Sequence, residues 1–161
     1  MRKILMLSTL FGVVSLNLLS NEGQSNQAIM QINAKVLKPL TVKADKDLEF
    51  GDILPGTFNQ AFSSFSLQGE SNSKVRITFE GVKSEGDSFR VPLKNGNNSF
   101  TILFNCTQIN KPGEWITPGN DVIELSDSGK QILNIAASTD VSRDQAPGIY
   151  SGNFTLKARY N

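Results

Sequence analysis

Short stretches in which apolar and polar residues alternate recur along most of this chain. Alternation with a period of two is typical of a β-strand that buries one face. The clearest stretches are residues 28–36, 61–68, 74–80, 99–106, 131–138 and 150–160. Turn signals rich in Gly and Pro separate them, and no stretch after residue 20 follows the 3.6-residue period of an amphipathic helix. The pattern predicts one all-β domain of about nine short strands, a sandwich or a barrel.

The most regular alternation lies in residues 146–161. Ala146-Pro147-Gly148 is a turn signal that opens the segment. One face of the predicted strand then carries Tyr150, Gly152, Phe154, Leu156, Ala158 and Tyr160. Residues of the other parity are polar or charged. We expect this strand to lie at a sheet edge, where it either completes its own sheet or pairs with a strand from elsewhere.

A second alternating segment, residues 28–36, begins the predicted domain. Its apolar face consists of Ala28, Met30, Ile32, Ala34 and Val36. Pro39 interrupts the pattern before an extended segment resumes at residue 40, which favours an edge strand or a bulge. Residues 48–54 predict another strand, with a bulge at Gly51 that resets its register.

Residues 1–20 have the features of a secretory signal peptide. Met1-Arg2-Lys3 is positively charged, and the apolar run at residues 4–19 is shorter than the ~20 residues that span a bilayer. Polar residues follow at 21–27, and the predicted β domain covers residues 28–161. We therefore expect export through the periplasm to the cell surface, a fimbrium or the medium, without a membrane anchor after cleavage.

Composition excludes several classes of function. The sequence has no histidine, which removes histidine-based acid–base catalysis and most zinc sites. After cleavage 14 basic residues would face 15 acidic ones, so the near-neutral chain has no charge-based reason to bind nucleic acid. We predict a protein that is not an enzyme, with no catalytic residue, cofactor or metal site.

Three local features leave alternatives open. Cys106, the single cysteine, is interpreted as a small core residue, and a disulfide between molecules is the alternative. Trp115 lies in the predicted loop 109–119, where we expect it to cover one end of the core instead of stacking on a sugar. The acidic residues around Asp121 do not have the spacing of a calcium loop, which favours solvated charges.

Two stretches resemble a family of bacterial secreted proteins. Leu48-x-Phe50-Gly51-x-Ile53-x-Pro55-Gly56 and residues 146–152, together with the ending Tyr160-Asn161, resemble the family called domain of unknown function 4402. The C-terminus is also similar to that of chaperone–usher pilins. These pilins carry a penultimate tyrosine, as at Tyr160, and a glycine fourteen residues from the end, as at Gly148.

The pilin resemblance implies an immunoglobulin-like antiparallel β-sandwich that lacks one strand. It also implies that the N-terminal segment of a neighbouring pilin-like subunit supplies that strand, with a periplasmic chaperone and an usher as partners. Met30, Ile32, Ala34 and Val36 are then the candidate donor residues. The chain departs from this pattern because residues 21–27 are polar and a second cysteine is missing, so residues 28–36 are either the donor or the domain's own first strand.

Two functions follow as hypotheses. The first is an exported structural subunit of a surface or fimbrial assembly that polymerises by β-strand exchange through the final strand. The alternative is a monomeric secreted sandwich that binds a ligand or glycan through loops such as 109–120. In that case the final strand would simply complete the sandwich, since alternation alone fits any half-buried strand.

Overall fold

The structure, a computed structural model, describes residues 27–161, and the chain divides after Ala34 into two units. Residues 27–34 contain no helix or strand. The unit Lys35–Asn161 holds ten β-strands and, within the described residues, no helix. The strands are β1 (Thr41–Ala44), β2 (Phe58–Gln68), β3 (Lys74–Glu80), β4 (Lys83–Glu85), β5 (Ser88–Asn95), β6 (Asn98–Gln108), β7 (Lys111–Ile116), β8 (Val122–Glu124), β9 (Lys130–Asp140) and β10 (Thr155–Tyr160).

The strands form two antiparallel sheets that pack face to face. The larger sheet has the order β1-β2-β9-β6-β5-β4, with β7 also paired to β6. The smaller sheet has the order β10-β3-β8. Every strand pair is antiparallel, as expected for a sandwich in which each sheet buries one face. The predicted all-β, immunoglobulin-like antiparallel sandwich is confirmed.

The core lies between the sheets and contains residues from both. Phe104 of β6 is fully buried and stacks on Phe154, with ring centroids 4.5 Å apart. Phe79 of β3 packs edge-on against the ring of Phe104, with ring centroids 5.3 Å apart. Aromatic pairs of this kind stabilise by about 0.5–1.5 kcal/mol beyond the area they bury. They fix the smaller sheet against the larger one.

Alternation identified the buried faces of the long strands. On the inward face of β2, Ala61 and Leu67 are buried and Phe65 is half-buried, and Leu133, Ile135 and Ala137 of β9 are buried. Val75 and Ile77 of β3 are buried too, with Phe79 half-buried, as predicted. The chain turns at Pro55-Gly56 and again between β5 and β6.

Other sequence predictions are wrong. Residues 28–36 are not the domain's own first strand, because they form no strand, and their assignment as a donor stays a prediction. Residues 48–54 form no strand either, and Gly51 is therefore not a bulge in a ladder, although its φ of 67° is left-handed. The final strand covers Thr155–Tyr160 instead of residues 150–160. The predicted loop at 109–119 contains β7, whose Trp115 is exposed instead of covering the core, whereas Ile116 is buried.

Two sequence predictions lie outside the described residues. They are the signal peptide at residues 1–20 and most of the polar segment at 21–27. Within residues 27–161, no helix is long and apolar enough to cross a membrane.

Candidate functional site

The edge of β10 that faces away from β3 has no partner among residues 27–161. On its other side, β10 pairs with β3 along its whole length, from Thr155 opposite Glu80 to Tyr160 opposite Val75. A six-residue strand edge presents a row of backbone N–H and C=O groups to whatever lies beside it. This edge is therefore a site at which another strand can add.

Strand order shows which position is vacant. In the immunoglobulin fold one sheet has the order A-B-E-D and the other has C-F-G. The order β1-β2-β9-β6 corresponds to A-B-E-D, and β3-β10 corresponds to C-F. Within the described residues, no strand occupies the position of G beside β10. The sandwich formed by these residues is thus one strand short at a defined place.

An open cavity of about 710 Å³ is lined by residues 48–53 and by residues 145–152, the segment that precedes β10 in the chain. None of its lining residues belongs to β10 itself. Its apolar wall includes Leu48, Phe50, Leu93 and Phe100, all of which are half-buried. Half-buried apolar side chains still expose surface that association can remove from water, at roughly 25 cal/mol per Å².

The two flanking segments share an unusual property. Neither belongs to a ladder, apart from one isolated bridge between Ser151 and Lys94. Leu48 and Phe50 nevertheless pack against the core. Each segment therefore leaves most of its backbone without a ladder partner among the described residues. A strand inserted into the cavity between them could pair with both.

The predicted residues of the final strand have different positions in the structure. Leu156 is buried and Phe154 packs on the aromatic core, so both belong to the chain's own sandwich. Ala158 and Tyr160 are half-buried, as is Tyr150 upstream of β10. Gly152 and Gly148 are exposed and lie outside the strand. A partner strand would therefore meet β10 mainly through its backbone edge.

Gly148 and Gly152 allow the segment that leads into β10 to lie close to β5. Gly148 has φ = 150°, and a Cβ there would collide with the side-chain amide of Asn95. A Cβ at Gly152 would lie 2.6 Å from the carbonyl oxygen of Pro92. Residues 148–152 can lie this close to the end of β5 because both positions lack side chains.

The other end of β10 is fastened by the hydroxyl of Tyr160. This oxygen accepts a hydrogen bond from the backbone N–H of Glu70 at 2.7 Å and donates one to the carbonyl of Lys38 at 2.7 Å. Glu70 also forms an ion pair with Lys35 at 3.1 Å. These contacts tie residues 35–38 and the β2–β3 turn to the C-terminal end of the last strand.

The candidate donor residues are exposed. Ile32 is 88% exposed, and Met30 and Val36 are exposed to a similar degree. Ala34 is also exposed. No backbone ladder involves residues 28–36. The segment therefore has the alternation of a strand and no strand partner within the described part of the chain.

Cys106 is fully buried near the C-terminal end of β6. Burial raises the pKa of its thiol to about 12, because the apolar surroundings penalise the thiolate. The interpretation of Cys106 as a core residue is confirmed. A buried and protonated thiol is unsuited to forming a disulfide with another molecule.

The acidic residues considered for a metal are not brought together. Both carboxylate oxygens of Asp121 accept hydrogen bonds from Nη1 of Arg76, at 2.7 and 2.9 Å, so Asp121 is not simply a solvated charge. This ion pair links the residue that precedes β8 to β3. Within residues 27–161, no group of three or more Cys, Asp or Glu side chains is arranged to hold a metal ion.

No family model matches the chain, and no curated protein matches it. The resemblance to domain of unknown function 4402 therefore stays a prediction. Two solved structures are similar in fold. The P pilus rod subunit PapA is 17% identical with a TM-score of 0.49, over 76% of this chain and 99% of that one.

The second is the CsuC–CsuE chaperone–tip adhesion subunit pre-assembly complex from archaic chaperone–usher Csu pili of Acinetobacter baumannii. It is 14% identical with a TM-score of 0.47, over 76% of this chain and 40% of the matched chain. This chain thus spans well under half of that protein. Both likenesses concern the fold, and they assign no function to the chain.

Proposed function

We propose that this chain is an exported structural subunit of a bacterial surface or fimbrial assembly, and that its copies polymerise by β-strand exchange. The observation that carries the proposal is the open cavity between residues 48–53 and 145–152. Both segments lie outside any ladder apart from the Ser151–Lys94 bridge, and the edge of β10, the strand that follows residues 145–152, is unpaired within the described residues. One added strand would complete the smaller sheet along this line.

The donor is the segment at residues 28–36 of a neighbouring copy or of another pilin-like subunit. Its alternation gives one apolar face, Met30, Ile32, Ala34 and Val36, which would point into the cavity and the gap beside β10. Its backbone would supply ladder hydrogen bonds to β10. This is recognition by β-strand addition, in which the main chain gives affinity and the side chains in pockets give register.

Strand exchange of this kind produces a filament. The acceptor edge and the donor segment are different surfaces of one chain, so each subunit uses one surface to receive and the other to give. Such head-to-tail contacts continue indefinitely unless a rotation closes them into a ring. A subunit with this geometry is suited to building a fibre on a cell surface.

An open edge beside an apolar cavity also requires protection before assembly. An uncovered strand edge is an aggregation site. We therefore include a periplasmic chaperone, which would occupy the same gap during export, and an usher, at which the neighbour's donor would replace it.

The test is a pair of single substitutions in the donor segment. Ile32→Asp places a charge on the face that would enter the cavity, whereas Asn33→Asp places the same charge on the opposite face. Ile32 is 88% exposed, so neither substitution should alter the fold of the subunit itself. Burial of an unpaired carboxylate costs several kcal/mol, so Ile32→Asp should abolish polymerisation and Asn33→Asp should not.

Assembly is measured in surface extracts as a heat-sensitive ladder of multiples on denaturing gels, and by sizing chromatography of the purified chain. Deletion of residues 21–36 should give the same loss as Ile32→Asp. Unchanged oligomers in the deletion variant would refute the donor assignment. A wild-type chain that is monomeric in native extracts would instead support the alternative, a monomeric ligand- or glycan-binding module.

A further inference from the structure

A second cavity lies in the larger sheet, away from the open edge of β10. It has a volume of about 520 Å³ and is bounded by the β6–β7 hairpin and the start of β5. We call it the Trp115 cleft. The side chains that matter for its chemistry are Asp87, Ser88, Asn105, Glu114, Trp115 and Asn120.

The fold turns Trp115 outward. In the β6–β7 ladder Cys106 is paired with Ile116 and Thr107 with Trp115. Because successive side chains of a strand point to opposite faces, the burial of Cys106 and Ile116 places Trp115 on the outer face. The indole is 44% exposed and is the only tryptophan in the sequence. A large aromatic ring held on a rigid hairpin beside a cavity offers one flat apolar wall to a ligand.

Two amides in the cleft are oriented by contacts within the chain. The hydroxyl of Ser88 donates to Oδ1 of Asn105 at 2.7 Å, which leaves the Nδ2 donors of Asn105 for another acceptor. Nδ2 of Asn120 donates to the backbone carbonyl of Trp115 at 3.0 Å, which leaves Oδ1 of Asn120 as an acceptor. The cleft thus presents a donor and an acceptor in fixed positions beside the ring.

Two carboxylates add further acceptors. Asp87 and Glu114 line the cleft, and Lys111 lies 3.4 Å from Glu114. The pair of carboxylates disfavours phosphate and other anions by repulsion. Lys111 partly offsets their charge, which weakens the case for a simple cation. Hydroxyl groups, which both donate and accept, match this set of groups better than a ligand of either charge.

We propose that the Trp115 cleft binds a neutral saccharide. A pyranose ring has an apolar C–H face that can stack on the indole, and its rim of hydroxyls can meet the amides of Asn105 and Asn120 and the carboxylate of Asp87. Small-molecule sites commonly combine one large apolar contact with a few oriented polar groups. Because the cleft is open, its ligand is a short stretch of a glycan chain or its end.

This binding site is independent of strand exchange. None of its lining residues belongs to β10, to residues 28–36 or to the walls of the larger cavity. A polymerised subunit and a monomeric one would both present the cleft. Deletion of residues 21–36 should therefore leave saccharide binding unchanged, which separates a failure of this inference from a failure of the proposed assembly.

The single tryptophan makes the test direct. The full chain is titrated with a panel of neutral oligosaccharides built from hexoses and N-acetylhexosamines, while the emission of Trp115 is followed. Choline chloride and inorganic phosphate serve as cationic and anionic probes. We expect at least one neutral saccharide to shift or quench the emission with saturation, and neither charged probe to do so.

Variants then locate the site by retention on the immobilised saccharide. Trp115→Ala should weaken retention at least about tenfold, as is common for a central aromatic contact. Asp87→Ala, an exposed position whose substitution spares the fold, should weaken it several-fold. The matched control is Phe62→Ala, which removes another aromatic ring, 60% exposed, from β2.

Three results would overturn the proposal. They are a panel that gives no saturable change in emission, retention that survives Trp115→Ala and Asp87→Ala, or an equal loss in Phe62→Ala. Saturable binding of choline in place of the saccharides would assign the cleft to a cation instead.

Discussion

Removal of one oxygen atom at Tyr160 should loosen the end of the last strand. Tyr160→Phe keeps the ring that packs against the core and deletes the hydroxyl that bonds to Glu70 and Lys38. The N–H of Glu70 is partly buried, so its loss of a partner is expensive, whereas the carbonyl of Lys38 is exposed and can bind water. Because a hydrogen bond contributes about 0.5–1.5 kcal/mol net, we expect a loss of about 2 kcal/mol in the free energy of unfolding.

Urea unfolding of the purified chain measures this loss. With a slope of roughly 2 kcal/mol per molar urea, the midpoint should fall by about 1 M without a change in slope. The matched control is Thr155→Val, which removes a hydroxyl from an exposed position of the same strand and should change stability by less than about 0.5 kcal/mol. A midpoint for Tyr160→Phe that equals that of the control would refute the fastening role of the hydroxyl.

Gly69 provides an internal check on the same contact. A Cβ at Gly69 would collide with the hydroxyl of Tyr160 and would lie 3.0 Å from a methyl of Leu40. Gly69→Ala should therefore destabilise the chain, and it should cost less in the Tyr160→Phe background, where the collision with the hydroxyl is gone. Additive effects of the two substitutions would contradict the geometry, because residues in contact are expected to couple.

Two further predictions concern titratable groups. Hydrogen bonds from Ser64 and Ser66 lower the pKa of Asp45. Its contribution to the free energy of unfolding is therefore complete above about pH 4 and is lost as the pH falls through the folded pKa. Asp45→Asn should make the free energy of unfolding depend less on pH in the acid range. An unchanged pH dependence in that variant would contradict this. Cys106, with its pKa raised to about 12, should not react with a thiol reagent at pH 8 in the native chain, and it should react once the chain is unfolded in urea. Rapid labelling of the native chain would contradict the burial of Cys106.

Periodicity in the sequence predicted the long strands well because each buries one face. In β2, β3 and β9 the pleat forces alternate residues into the core, so the apolar parity and the buried parity coincide. β4 and β7 were missed for local reasons. β4 has only three exposed residues and no apolar face. β7 contains Pro112 and Gly113, which are tolerated there because β7 pairs with β6 alone and lies at an edge.

The same periodicity overpredicted strands on both sides of the larger cavity. Leu48 and Phe50 pack against the core, and the alternation of residues 48–54 reports that packing correctly. It carries no information on whether the backbone has a neighbour with which to form a ladder. Strand pairing depends on a second segment, and periodicity within one segment cannot show where that segment comes from.

From the sequence alone, an open edge at the final strand was one of two alternatives. A final strand that completes its own sandwich and one that awaits a partner have the same alternation, because both bury one face. Strand order supports the proposal of a partner strand, since β10 occupies the position of F and no strand of residues 27–161 occupies that of G. Phe154, Leu156 and Tyr160 contact the chain's own core and turns, so a partner strand cannot be recognised mainly by these side chains. In the proposed strand exchange, recognition would use the backbone edge of β10 and the cavity lined by the residues upstream of it, where Gly148 and Gly152 keep the chain close to β5.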